Sequence, residues 1–249
     1  MEFETSISRS IPDLSIDMDD ICSVILNAQL PSGEIPWSEG QKTDPWDHVE
    51  AAMGLSVGGY LHPARRAFEW MVRNQNEDGS CFSAYMQGVP EDKTRDANMS
   101  CYVAVGVFHH YLITGDLSFL DRMWPTVSAA IDFALGLQTP DGEIYWAISP
   151  EGRVDPMALL TGSSSIYMSL KCALAIARTL GHKRPAWHSA LNRLGDAIRN
   201  KPHLYNVTKS RFSMYWFYPI LAGVITGADA QARIDKYWKK YIIEERGVR

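Results

Sequence analysis

Side chains able to do chemistry gather at four places along the chain. Thr43, Asp44, Trp46, Asp47, His48 and Glu50 form the first group, and Arg95, Asp96 and Asn98 the second. Thr161 with Ser163, Ser164 and Ser165 forms the third, and Tyr215 with Trp216 the fourth. Two carboxyl groups several ångströms apart, one kept protonated by apolar surroundings, are what cleavage of a glycosidic bond requires. Glu50, Asp47 and Asp96 are the candidates for that acid and base work, with Asp44 next. Trp37, Trp46, Trp146 and Trp216 are candidate stacking platforms for a ligand, and Tyr215 stands beside the last of them. Glu34 and Glu143 recur in GEI-x-W segments and are candidates to bind substrate hydroxyls.

Each group has a plainer reading. Asp44, Asp47, Asp96 and the serines are favoured helix caps, each worth roughly 1 kcal/mol, and acidic residues suit the positive end of a helix. Capping does not account for Glu50, one turn into an apolar helix, where an unpaired carboxylate costs several kcal/mol. Arg95 and His48 are its nearest candidate partners. Gly162-Ser163-Ser164-Ser165 lacks the strand and the G-x-S-x-G context of a hydrolase elbow, yet suits anion binding at a helix start, with Ser164 as the candidate ligand. His109-His110 reads as a polar helix terminus rather than a metal pair.

The elements that must position these groups are almost all helices, of two alternating kinds. Residues around His48–Tyr60, Asn98–Leu112, Ser165–Leu180 and Met214–Ile225 are apolar nearly all round, which demands burial on every side. Segments around Pro63–Gln75, Thr126–Gln138, Ala186–Asn200 and Asp229–Ile243 are amphipathic, and Ile16–Gln29 begins the series as another outer helix. Pro125 predicts a break, with a short turn at Leu117–Met123 followed by a longer helix that starts at the proline. Alternating inner and outer helices joined by loops close into a ring within a ring, an all-α toroid of αα-hairpins. Inner helices in such a ring run parallel, so the four groups converge on one mouth.

A repeat marks the hairpins: Gln29-x-x-x-Gly33, Gln75-x-x-x-Gly79 and Gln138-x-x-x-Gly142, spaced by 46 and 63 residues. Each runs into an aromatic segment, GEIPW, GSCFSAY and GEIYW. QNEDGS at Gln75–Ser80 resembles the Q-x-x-D-G-S repeat of the terpenoid cyclase and protein prenyltransferase group. TGDLSFLDRMWPTVSAAIDF at Thr114–Phe133 resembles a recurring segment of six-hairpin glycosidases. DPWDHVEAAMGL, TRDAN and LLTGSSSIYMSL together resemble bacterial proteins labelled prenyltransferase-like. These resemblances imply the α/α-toroid fold and leave the reaction open among glycosidic cleavage, isoprenoid transfer or cyclisation, and glycan binding without catalysis.

The isoprenoid reading has one acid motif, Asp17-Met18-Asp19-Asp20, which matches D-x-D-D but precedes an outer helix, where it is explained as a cap. Asp96, Cys101 and His109 lack convincing zinc spacing, and no Walker loop or dinucleotide fingerprint occurs, so no metal or cofactor is expected. The 24 Lys and Arg against 29 Asp and Glu give a net charge of −5 with no basic run, which disfavours nucleic acid as a partner. Cys22, Cys81, Cys101 and Cys172 are too scattered for a disulfide framework and read as free thiols. The start MEFETSISRS lacks a signal-peptide pattern and no stretch is long and apolar enough to span a membrane, so a cytoplasmic protein is expected.

All 249 residues read as one domain of about nine helices. A closed ring of six hairpins takes twelve, a shortfall on the order of 100 residues at two helices of about 10–15 residues plus loops per hairpin. The ring is therefore expected to be incomplete, with an open flank that a second copy of the chain would cover.

Overall fold

The computed structural model describes residues 17–248. Ile16, Arg249 and the segment read above for a signal peptide lie outside the described residues.

Ten α-helices follow one another: α1 (Met18–Ala28), α2 (Pro45–Val57), α3 (Leu61–Arg73), α4 (Ala97–Cys101), α5 (Val103–Thr114), α6 (Leu117–Leu135), α7 (Leu160–Thr179), α8 (Pro185–Asn200), α9 (Ser213–Leu221) and α10 (Gly227–Tyr241). α4 and α5 are one rod interrupted at Tyr102, so the described residues form nine rods. α2, α4–α5, α7 and α9 pack in succession as the inner layer, and α1, α3, α6, α8 and α10 flank them. The expected α/α toroid is what the chain forms. The two helix types differ as their sequences require. In α5 five consecutive residues, Val103 to Val107, are buried, whereas α3 buries Ala64, Ala67, Phe68, Trp70 and Met71 and exposes Glu69, Val72 and Arg73. The first pattern needs neighbours all round and the second needs them on one side.

The expected break at Pro125 does not occur, and α6 runs through it. Pro125 and Asp121, whose carbonyl would have received the missing N–H, both lie on the exposed face, where the lost bond does not leave a buried carbonyl unpaired. The cysteines are free, as expected, with Cys22, Cys81 and Cys101 buried.

The Gln-x-x-x-Gly repeat has a single structural meaning in all three copies. The Gln29 side-chain amide donates to Gly33 O (3.2 Å) and Pro63 O (3.0 Å), Gln75 to Gly79 O (3.0 Å) and Thr126 O (2.9 Å), and Gln138 to Gly142 O and Ala190 O (both 3.0 Å). Each glutamine thus ties the loop after its own outer helix to the next outer helix. The glycines have φ of +91°, +87° and +107°, and a Cβ there would fall 2.2–2.5 Å from Arg66 O, Ala129 O or Arg193 O, so only glycine lets the loop lie this close.

Short strands supplement the helices. β1 (Ala84–Met86) pairs with β2 (Val89–Asp92), and β6 (Ile242–Ile243) with β7 (Gly247–Val248). Near the mouth β3 (Arg95–Asp96), β4 (Tyr145–Ile148) and β5 (Val154–Ala158) form an antiparallel sheet, with Asp96 opposite Ala147 and Ala147 opposite Asp155. GEIYW thus continues from its glycine turn into β4, which sets Trp146 in the wall of the mouth.

Candidate functional site

The inner helices begin at a mouth made of two joined clefts. The inner cleft, about 290 Å³, lies among Trp46, Asp96, Asn98, Ser163, Trp146 and Tyr215, with Met99, Ile144, Leu159 and Met214 as apolar walls. The outer cleft, about 520 Å³, is lined by Trp37, Lys42, Asp44, Glu91 and Asp92. Asp96, Met99 and Trp146 line both, so Asp96 stands at the junction. A larger groove of about 710 Å³ at the far end of α7, bordered by Lys171, Arg178, Lys183 and Arg184, has no carboxylate in its lining and offers no acid/base pair.

Capping explains part of the arrangement and leaves a remainder. Asp44 Oδ1 accepts from Asp47 N (2.9 Å) as the cap of α2, and its Oδ2 accepts from Trp37 Nε1 (2.5 Å). Asp96 Oδ1 accepts from Asn98 N (2.7 Å) and Met99 N (3.0 Å) as the cap of α4. One oxygen serves each cap, which leaves the Asp96 Oδ2 for the clefts that the residue lines.

Burial pushes the Asp96 carboxyl up to about 6 against the opposing pull of its two N–H donors, and the negative charge of Asp44 adds to the rise. Asp47 is also pushed up to about 6, first by desolvation and then by Asp44, whose carboxyl it meets side chain to side chain. A carboxyl that holds its proton up to about pH 6, within electrostatic reach of a second carboxyl, can serve as a general acid in mildly acidic solution.

The other expected site residues divide. Trp46, Asn98, Trp146 and Tyr215 line the inner cleft, and Trp37 and Asp44 the outer. Asp47 and Glu50 instead face a groove beside α1 bounded by Val24, Ile25 and Trp37. Glu50 pairs with neither Arg95 nor His48: its Oε1 accepts from Trp46 Nε1 (2.7 Å) and Tyr102 Oη (3.0 Å). It is exposed, so the burial cost that singled it out does not arise. Arg95 forms an ion pair with Asp78 (2.6 Å).

His48 is buried with both ring nitrogens used. Nδ1 accepts from Ile35 N (3.0 Å), so Nε2 carries the proton and donates to Ala67 O (2.9 Å). Desolvation lowers it to about 4, and the ring ties the GEIPW loop to α3. Ser164 Oγ is spent on Leu160 O within α7, and the serine that lines the cleft is Ser163. Trp216 packs away from the mouth, donating to Arg233 O (2.8 Å) and stacking on Tyr241 with 5.2 Å between ring centres. Glu34 and Glu143 are buried beneath the loops, accepting from Thr43 Oγ1 (2.7 Å) and Thr139 Oγ1 (2.6 Å).

Asp155, which lines neither cleft but whose Oδ2 accepts from Trp146 Nε1 (2.8 Å), is a partner of a cleft residue that sequence reasoning missed. Its one signal was its place in the strand that follows GEIYW. Asp17 caps α1 through Asp19 N and Asp20 N, as expected of the D-x-D-D run. Among the described residues no cluster of metal-ligating side chains occurs and no helix is long and apolar enough to cross a membrane.

The fold is an α/α-hairpin toroid whose mouth gathers acidic residues and tryptophans at the helix starts. The chain is 51% identical over 225 residues to an MMP endo-(1,4)-3-O-methyl-alpha-D-mannosidase from Mycolicibacterium hassiacum, a match covering 90% of this chain and 62% of that protein. It is 27% identical over 137 residues to an uncharacterized glycosyl hydrolase from Methanocaldococcus jannaschii, covering 53% of this chain and 21% of the other. The chain therefore spans less than two thirds of the length of these curated relatives. No protein-family model matches. Among solved structures, a GH63 mannosylglycerate hydrolase from Thermus thermophilus superposes with a TM-score of 0.68 at 12% identity, over 93% of this chain and 78% of the other. A rhamnosidase from Klebsiella oxytoca does so at 0.66 and 14%, over 89% and 47%. A D-mannose isomerase reaches 0.65 at 11%, over 96% and 74%, so the shared fold alone does not select the reaction.

Proposed function

We infer that this chain builds the substrate mouth of a glycoside hydrolase acting on α-linked mannose, with O-methylated mannose oligosaccharides as the substrate class. The observation that carries the reading is the pair Asp44 and Asp96 at joined clefts walled by Trp37, Trp46 and Trp146, with Asp96 raised to about 6. The 51% identity to a 3-O-methyl-mannosidase supports the substrate class. Asp96, which keeps its proton up to about pH 6, is assigned the general acid that protonates the glycosidic oxygen as the bond to the anomeric carbon breaks. Asp44, whose carboxylate accepts two N–H bonds, is assigned the base or nucleophile. Glu50, outside both clefts, holds Trp46 in this scheme rather than moving a proton.

The isoprenoid alternative loses its motif support: Gln75 and Gly79 of QNEDGS are used in the clamp between outer helices, and Asp17 is used as a cap. The test is release of reducing ends from α-1,4-linked 3-O-methylmannose oligosaccharides and from unmethylated mannan. Turnover by the parent, with a loss of about a thousandfold or more in Asp96→Asn and Asp44→Asn, is the expected result. Turnover that survives both substitutions would remove the paired-carboxylate scheme, and tight glycan binding without turnover would mark a binding module.

A further inference from the structure

The inner cleft contains polar groups that the protein does not use. Among the described residues neither end of the Asn98 side-chain amide is hydrogen bonded to protein, although the residue is 5% exposed and its Oδ1 is fully enclosed. Ser163 Oγ, on a residue 2% exposed, makes no hydrogen bond of normal geometry among the described residues, and its polar neighbour is the Tyr205 hydroxyl behind it. Leaving such groups unpaired is unfavourable, and a bound hydroxyl offers the missing partner. Both side chains line the same space as Trp46, Trp146 and Tyr215, whose rings give it flat apolar surfaces.

Trp146 is not free to turn. Its N–H is held at 2.8 Å by Asp155 Oδ2, a charge-assisted bond between neighbouring strands, so the indole stands in the wall of the cleft with its polar edge directed at the sheet. At about 290 Å³ the space is just below the usual range of ligand pockets, about 300–1,000 Å³, and suits a single ring rather than an oligomer.

We propose that the inner cleft is a subsite for one pyranose ring, in which Asn98 and Ser163 read the hydroxyl edge, Trp146 supplies the stacking face, and Asp155 is the positioning residue that fixes Trp146. The proposal rests on the glycosidase reading and goes beyond it by assigning the recognition roles. Asn98 presents its amide Nδ2 to the ring as a donor, its Oδ1 being enclosed. Asp155 touches no reacting atom here, and its contribution passes through the indole.

The experiment measures binding of methyl α-D-mannopyranoside to the full chain by calorimetry and by tryptophan fluorescence, alongside steady-state kinetics on the oligosaccharide. Asn98→Ala and Ser163→Ala are expected to weaken binding by about tenfold each, the loss of one hydrogen bond to an uncharged partner. Asp155→Ala is expected to raise KM severalfold with kcat and the pH profile kept, and Asp155→Asn, which retains an acceptor for the indole N–H, to restore KM. Parent-like binding in both Asn98→Ala and Ser163→Ala would overturn the subsite while leaving the glycosidase reading in place. An Asp155→Ala variant that loses kcat and one limb of the pH profile would overturn its positioning role. If the parent binds neither this glycoside nor the oligosaccharide, the subsite and the glycosidase reading fail together.

Discussion

The indole N–H of Trp37 stands 2.5 Å from Oδ2 of Asp44, the same carboxyl whose Oδ1 caps α2. One side chain therefore joins the GEIPW loop, the start of an inner helix and the outer cleft. Asp44→Asn keeps an oxygen for the cap but turns an amide donor or the wrong oxygen toward Trp37, whereas Asp44→Ala removes both bonds. Urea denaturation is expected to show the alanine variant less stable by about 1–2 kcal/mol and the asparagine variant less affected. Both are expected to lose turnover, so an active Asp44→Asn would exclude Asp44 from the chemistry.

Activity is expected to decline as pH rises above about 6, because the proton on Asp96 is lost there. Stability carries the same group with a defined sign. The folded carboxyl is raised above the usual carboxylate value, so it adds stability fully present below about 4, which disappears as pH rises through about 6. Asp96→Asn retains a good cap and removes this contribution. Chemical denaturation at several pH values is therefore expected to show that the variant gains less than the parent, or loses more, between pH 6 and pH 4.

His48 works in the opposite direction over an overlapping window. Burial depresses it to about 4, and His110 is lowered to about 4 as well, so both are neutral in the fold and protonate on unfolding. Their contribution is full above about 6.5 and is lost as pH falls toward 4. His48→Ala leaves Ile35 N and Ala67 O without partners and is expected to lower stability by about 2–4 kcal/mol at pH 7.5. It is also expected to flatten the fall below pH 6.5, and a variant that keeps the parent's full acid dependence would assign that dependence elsewhere.

The clamps give a third kind of test. Gln75→Ala removes the donor to Gly79 O and Thr126 O and is expected to cost about 1–3 kcal/mol. Gly142→Ala forces a Cβ into a left-handed turn against Arg193 O and is expected to cost more, above about 3 kcal/mol. Thermal melting of the two variants ranks them. A Gly142→Ala variant as stable as the parent would mean that the loop moves off α8 without penalty.

Much of the fold was legible because an inner and an outer helix bury different fractions of their surface, and composition records that difference directly. The repeat was legible too, although its glutamines look like ordinary helix ends until their second bond, to the next outer helix, is seen. Pro125 misled because sequence does not say which face of α6 meets water. Glu50 misled for the same reason: apolar neighbours along α2 suggested enclosure, but this residue lies on the turn facing the groove beside α1. Ser164 and Ser163 differ by one position, about 100° around the helix, which periodicity alone cannot resolve to the cleft. The polar partners of Trp146 and Trp216 depended on strand register and on α10, both long-range facts.

The three clamps lie between the outer helix that ends and the outer helix that follows, whereas the side chains of the mouth come after each glycine turn. The three glutamine clamps therefore precede the stretches that form the mouth. Such a molecule behaves as a string of coupled modules in which order passes from each hairpin to its neighbour, as in a one-dimensional array. Loops beyond Gly33 and Gly142 can change at exposed positions while Glu34, Glu143 and the Ile35–His48 bond keep their bases fixed. On the proposed glycosidase reading, such a scaffold can exchange one sugar for another by changes at exposed positions of its rim.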